Sequence, residues 1–213
     1  MTAAILGALF GAFFDRLSEL SGSPLFLLVI LLIAFADSVV PVVPSETLVI
    51  VGGVAAGQGE QSLTMVMLCG ALGAFLGDNA AYQLGASAEG LLRSTMFRGD
   101  KGDRRLAWAA RQLARRGGQL LVTARFIPGG RTAVTVSSGV TGQPRRRFVL
   151  WDLLACAIWA SYAALLGFVG GKTFEDNHTL ALLVALAAAV GVTVLVEVVR
   201  HVHAKRNPPD SQP

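Results

Sequence analysis

Residues 35–48 read FADSVVPVVPSETL. Two carboxylates, Asp37 and Glu46, and two prolines, Pro41 and Pro44, interrupt an apolar block that runs from residue 24 to residue 59. A helix crossing the hydrocarbon core of a bilayer needs about 20 residues. The block is too long for one crossing and is broken at its centre. Cut at the prolines, it leaves arms at 24–36 and 47–57, each about 16–20 Å long at a rise of about 1.5 Å per residue. That is half a bilayer or a little more. Two half-length arms around a polar, Pro-rich turn predict a re-entrant helical hairpin over 24–59, with Pro41, Pro44 and Ser45 at its tip. Non-helical backbone at that depth is tolerated only where protein or a water-filled cavity covers it.

The same pattern returns at 117–142. An apolar arm, 119–124, leads into RFIPGGR at 125–131, and a second arm, 132–141, leads out. Pro128, Gly129 and Gly130 do not continue a regular helix and form the predicted tip. Arg115 and Arg116 precede this block and Arg145, Arg146 and Arg147 follow it. Under the positive-inside rule both ends lie on the cytoplasmic side. Between the hairpins, 62–86 is a predicted span containing Asp78, with Gly73 and Gly77 spaced for close helix contact. Residues 93–116 form a basic cytoplasmic segment. Residues 148–171 are a second span and 172–200 a C-terminal one. The tail 201–213 is disordered by composition and cytoplasmic. Residues 1–23 read as an amphipathic or short membrane helix, interfacial or tilted, with no cleavable signal. The fold class is therefore an all-α integral membrane protein. Its hairpins enter from opposite faces, an inverted repeat of the kind that places transporter sites at the bilayer midplane.

Composition agrees. Of 213 residues, 53% are hydrophobic and 15% charged, against about 25% charged in soluble domains, and mean hydropathy is +0.58. A soluble domain of this length leaves too much of its surface wet to hide so much apolar side chain. Net charge is +4. Eight basic residues lie between Arg93 and Arg116, beside apolar runs, which is the placement of cytoplasmic loops. No aromatic–basic interleaving points to nucleic acid. Cys69 and Cys156 sit in apolar stretches and indicate neither a disulfide framework nor a zinc site.

Each hairpin carries two ionisable residues of one sign, Asp37 and Glu46 in the first and Arg125 and Arg131 in the second. A lone charge at a helix centre costs about 2.5–3.5 kcal/mol on insertion scales. Two acids and two bases neutralise one another if the tips meet near the midplane. One reading is that they are buried ion pairs that lock the hairpins. The other is functional. Arginine stays protonated and presents a planar fork that matches phosphate. Carboxylates competing for the same guanidinium carry protons when they release it, so protonation couples anion movement to a proton gradient. Arg125 and Arg131 are then the lipid-phosphate-binding residues, and Asp37, Glu46 and Asp78 the proton-coupling or gating ones.

The stretches FADSVVPVVPSETLVIVGG, GDNAAYQLG, ARFIPGGRTAVTVSSG and RRFVLWDLLACAIWA, with LGFVGG after it, resemble the DedA family, which shares the VTT, or SNARE-associated Golgi protein, membrane domain. The likeness runs in order from about residue 24 to 171. It implies a multi-pass bacterial inner-membrane protein with two opposed re-entrant hairpins. It also implies movement of undecaprenyl phosphate or phospholipid between leaflets, dependent on proton motive force, in support of envelope homeostasis. The family's essential acids fall on Asp37 and Glu46 and its essential arginines on Arg125 and Arg131. The first acid is often glutamate in the family, and aspartate here shortens its reach. Asp152 stands where the family often has asparagine and places an added acid near the cytoplasmic mouth.

Asp78 has two readings, a proton relay or a helix-packing residue near Asn79 and Tyr82. Tyr82 reads as an interface anchor, and Trp151 and Trp159 as packing or interfacial residues. His178, His201 and His203 lie in a loop and the tail without metal-ligand spacing. Arg145–Arg147 is first a topology signal and second a gatherer of anionic headgroups. No hydrolase or nucleotide-binding motif occurs, and Asp37 with Glu46 is an unpromising aspartyl pair because nearby arginines keep both ionised. The expectation is a transporter and not an enzyme, without cofactor or metal. Its partners are membrane lipids, anionic lipid phosphate and protons, and a homo-oligomer is compatible with the chain. The alternatives are a proton-coupled small-ion antiporter and a non-transporting membrane-organising protein.

Overall fold

The computed structural model describes residues 21–40, 45–88, 100–125 and 130–174, with isolated residues 90, 187 and 191. Pro41, Pro44, Pro128 and Gly129, the N-terminal helix expected before residue 21, nearly all of the C-terminal span and the tail lie outside the described residues. Six helices are described: α1 (Pro24–Val39), α2 (Ser45–Gly57), α3 (Leu63–Ser87), α4 (Asp100–Ala124), α5 (Gly130–Val140) and α6 (Arg145–Thr173). No strand occurs among the described residues.

The local chemistry places the ends. Pro24 opens α1, where its missing N–H is no loss, and the Ser23 hydroxyl accepts from the Leu25 N–H. Ser62 caps α3 in the same way, through the Met65 N–H. The 25 residues of α3 and the 29 of α6 are long and apolar enough to cross a membrane. They reach about 37 and 43 Å. By contrast α1, α2 and α5 have 16, 13 and 11 residues, too few to cross. The basic surface segment and the apolar arm expected as separate pieces run on as one helix, α4. The non-helical Arg116 marks the join at the boundary expected between them.

The outer ends of each helix pair adjoin. The Gln61 amide at the end of the α2 turn donates to the Ser23 carbonyl before α1 at 2.8 Å. Across the second pair, Gly117 on α4 lies against the Gln143 side chain that follows α5. Both pairs thus leave and return at one end of the bundle, as a hairpin does.

Glycines set the packing. A Cβ at Gly73 or Gly77 would strike the Leu31 or Phe35 carbonyl, so α3 carries α1 at backbone distance. Gly53 and Gly57 on α2 meet Ala164 and Phe168 on α6, while Gly167 and Gly171 on α6 meet Ile50 and Val54 on α2. The α3–α5 contact repeats this, with Gly85 on Val136 and Gly139 on Tyr82. The first arm of each hairpin therefore packs on the span of its own half, and the second arm on the span of the other half. Exchanging α1, α2 and α3 for α4, α5 and α6 preserves these contacts.

The core is built from Phe26, Ile30, Val49, Ile50, Val66, Cys156 and Trp159 with alanines 34, 74, 160, 163 and 164. The outside is apolar too. Leu25, Leu28 and Leu32 on α1, Leu68, Leu72 and Leu76 on α3, and Leu150, Leu153, Leu165 and Val169 on α6 are exposed. Side chains that are apolar both inside and out suit a protein whose solvent is lipid.

Candidate functional site

The inner ends of the hairpins converge on the middles of the two spans. Asp37 is near the end of α1, Ser45 begins α2, Arg125 follows α4 and Arg131 opens α5. Asp78 comes from α3, and Asp152 and Cys156 from α6. The Arg131 Nη2 donates to Asp37 Oδ2 at 3.0 Å, joining the first hairpin to the second. The Ser45 hydroxyl donates to the same carboxylate oxygen at 2.5 Å, holding α1 and α2 together at their inner ends. Asp78 is central. Its Oδ2 is ion-paired with Arg125 Nη2, and its Oδ1 lies 3.7 Å from Arg131 Nε.

Arg125 is the more deeply set arginine. Its Nη2 also lies 3.5 Å from Asp152 Oδ1 and 2.7 Å from the Cys156 sulfur. Its guanidinium sits over the Trp159 ring, 5.8 Å from the centroid. Side-chain exposure is 0% for Asp78, 1% for Asp152 and 2% for Arg125, but 13% for Arg131 and 16% for Asp37. The cluster therefore has a closed floor of Asp78, Asp152, Cys156 and Arg125 and a more open edge of Arg131 and Asp37. Two buried polar atoms on that floor have no hydrogen-bond partner, Arg125 Nη1 and Asp78 Oδ1. Asn79 braces the far side of Asp152, donating to its Oδ2 at 3.4 Å and to the Phe75 carbonyl at 2.8 Å.

Several expectations change. The pairing of both first-hairpin acids with both arginines is half met. Asp37 takes Arg131, but Glu46 is ion-paired with neither arginine. It lies within electrostatic reach of Asp37 and of Tyr162 on α6. Arg125 is matched instead by the spans, through Asp78 and Asp152. Asp152 is not at a mouth but buried in the cluster. Asp78, read as a proton relay or a helix-packing residue near Asn79 and Tyr82, bridges both arginines. Tyr82 is a buried latch and not an interfacial anchor. Its hydroxyl donates to the Gln143 carbonyl at 2.6 Å and its ring lies 4.6 Å from that of Phe148. Trp159 is buried against Arg125, whereas Trp151 is partly exposed and its ring fills the space that a side chain at Gly118 would need. Gly130 begins α5 beside Arg131.

Asp152 and Cys156 were legible by periodicity. Phe148, Asp152, Ala155, Trp159 and Ala163 recur at helical spacing and form the buried stripe of α6, so an acid on that stripe faces inward. The donor atoms of Asp78, Asp152 and Cys156 lie within 4.8 Å of one another. That set suits a cation, and the Arg125 guanidinium stands among its members as one. Both cysteines are free thiols.

Comparison with known proteins gives the family. The VTT domain matches residues 43–169. An uncharacterized membrane protein of Mycobacterium tuberculosis (strain H37Rv) is 28% identical over 195 residues, covering 86% of this chain and 83% of its own. The inner membrane protein YohD of Escherichia coli K12 is 30% identical over 158 residues, covering 69% of this chain and 80% of its own. An uncharacterized membrane protein of Synechocystis is 26% identical over 166 residues, 75% of this chain and 76% of its own. No solved structure matches the chain. The VTT match runs from α2 through all but the last few residues of α6 and takes in every charged residue of the cluster except Asp37, which lies on α1 ahead of it, and the chain belongs to the VTT-domain, or DedA, family of membrane proteins.

Proposed function

We propose that the protein moves a phosphate-bearing lipid, undecaprenyl phosphate or a phospholipid, between leaflets of the bacterial inner membrane, in exchange for protons. In this reading it is a transporter and not an enzyme, and its C-terminus is cytoplasmic. The helix pairs are re-entrant hairpins entering from opposite faces, so the cluster sits where the two meet. The observation that carries the reading is the sharing of Asp78 by Arg125 and Arg131. A carboxylate held between two guanidiniums occupies the place of a phosphate, and both groups present oxygens to the same forks. Protonating Asp78 or Asp37 frees donors for an incoming phosphate, and its departure restores the ion pairs. The orphaned Arg125 Nη1 is a donor already without a partner. Arg131, on the more open edge, meets the headgroup first, and Arg125 receives it on the closed floor. Glu46, set apart from the arginines, serves as a proton carrier beside the site.

The test is transbilayer movement of fluorescent undecaprenyl phosphate in liposomes containing the purified protein, with and without an imposed pH gradient. Movement should be lost in Arg125→Lys and in Arg131→Lys, which keep the charge but not the fork, and Glu46→Gln should remove the dependence on the gradient. Full activity of both lysine variants would overturn the phosphate reading. The donor set of Asp78, Asp152 and Cys156 favours a second reading, proton-coupled cation antiport. Cation flux that needs Asp78 and Asp152 and ignores Arg131 would select it.

A further inference from the structure

Beside the cluster, on the opposite face of α3, lies an apolar groove of 580 Å³ lined by Phe35, Ala36, Val39, Val40, Ala80 and Leu84, with Gln83 and Ser87 toward its end. Its origin is the unequal length of parallel helices. Gly73 sits under Leu31 and Gly77 under Phe35. Extending that register sets the end of α1 beside Ala81, and about the last 9 Å of α3 runs on without α1 over it. The groove is the space so left. It opens outward, since Phe35, Val40 and Leu84 are exposed large hydrophobics. One end of the groove carries charge. The Arg145 guanidinium lies against the Gln83 side-chain amide, whose oxygen accepts from it once the amide is turned to face it, and no carboxylate among the described residues pairs with Arg145. Arg146 and Arg147 follow it, with Arg147 bound to the Ala114 carbonyl of α4 at 2.9 Å.

An apolar slot capped by an unneutralised guanidinium matches a molecule with a hydrocarbon chain and an anionic head. Its volume lies within the range of about 300–1,000 Å³ typical of small-ligand sites. Helix α1 contributes to both the groove and the proposed transport site, with Phe35 and Ala36 lining the one and Asp37 belonging to the other. We infer that this groove seats the chain of an anionic, phosphate-headed lipid drawn from the leaflet on the Arg145 side, with Arg145 and Gln83 holding its head. The inference rests on the proposed function for its purpose, as a waiting position outside the cluster, but not for its existence. The basic run puts this leaflet on the cytoplasmic face.

The experiment is photolabelling of the full chain in phosphatidylcholine vesicles containing a small fraction of phosphatidylglycerol with a diazirine in its acyl chain, read by peptide mass spectrometry. Label should concentrate on Val39 and Leu84, several-fold above Leu25 and Leu150, which face lipid elsewhere. Ala80→Trp fills the groove and should abolish that excess while leaving Leu25 and Leu150 unchanged. Leu84→Trp, at the open rim, should do the same at Val39 and guards against misfolding of the first variant. Arg145→Gln should remove the excess for phosphatidylglycerol, and photoreactive phosphatidylcholine should show none. Even labelling of all lipid-facing residues, or an excess that survives both tryptophans, overturns the inference. So does an equal excess with phosphatidylcholine. Labelling is measured at equilibrium, so a labelled groove in a protein whose lysine variants still flip lipid would refute the transport reading and leave this one standing.

Discussion

Asp78 holds two arginines, and its removal is not equivalent to that of its neighbours. Asp78→Ala leaves Arg125 with Asp152 alone at 3.5 Å and strips Arg131 of one of its two acids. Breaking a buried pair from one side costs about 3–5 kcal/mol, because the remaining charge stays buried. Asp152→Asn keeps the shape and leaves Arg125 its ion pair with Asp78, so its cost should be about 1 kcal/mol. Unfolding of the two variants in mixed micelles checks the order, which reverses if Asp152 is the main partner of Arg125. Tyr82→Phe removes one buried hydrogen bond, to the Gln143 carbonyl, and should cost about 0.5–1.5 kcal/mol in the same assay. At this scale the sequence was half readable. Composition and cost named Asp37, Glu46, Arg125 and Arg131 as charges that must find partners in the membrane, and all but Glu46 are ion-paired. Partner choice was hidden, because it depends on how each helix is rotated about its axis. Glu46 sits nine residues after Asp37 on a different helix and points elsewhere, while Asp152, seven residues past Arg145, lies on the inward stripe of α6.

At the scale of helices, packing rests on absent side chains. Gly53 and Gly167 face the Ala164 and Ile50 carbonyls, so any Cβ on either pushes α2 from α6. Overpacking costs about 1–3 kcal/mol per site. Gly167→Ala should therefore lower thermal stability clearly, whereas Gly90→Ala, with open space around it, should not, and equal behaviour of the two would refute backbone-distance packing. Helix positions were the most legible part of the chain. Prolines, glycines and charge punctuate the apolar runs, so the expected arms at 24–36 and 132–141 fall on α1 and α5 within a few residues. The partnering of α2 with α6 was not legible. Both present glycines at four-residue spacing, and so does α3, so spacing alone does not say which surfaces meet.

For the whole molecule, the question is whether the cluster exists to fasten the hairpins or to release them. A double variant, Asp37→Arg with Arg131→Asp, reverses one tip-to-tip pair and leaves its geometry in place. If fastening were all, it would be both folded and functional. The expected result is a chain that still folds, less stable to heat than the original because position 131 now sets a carboxylate beside Asp78, with lipid movement lost, since the phosphate fork at position 131 is gone. A folded chain that still moves lipid would mean that fastening is all.

The second arm of each half lies on the long helix of the other half, and this has a consequence in time. Gly53 and Gly57 on α2 have no partner until Ala164 and Phe168 on α6 have been made. At about 5–20 residues per second, that interval lasts several seconds, during which a stripe of bare backbone faces lipid. Insertion into the membrane and maturation are therefore separate events for this chain. A ribosome stalled before α6 would leave a fragment correctly inserted yet open, a ready target for membrane proteases, and the last of the described helices to emerge is the one that closes the first hairpin.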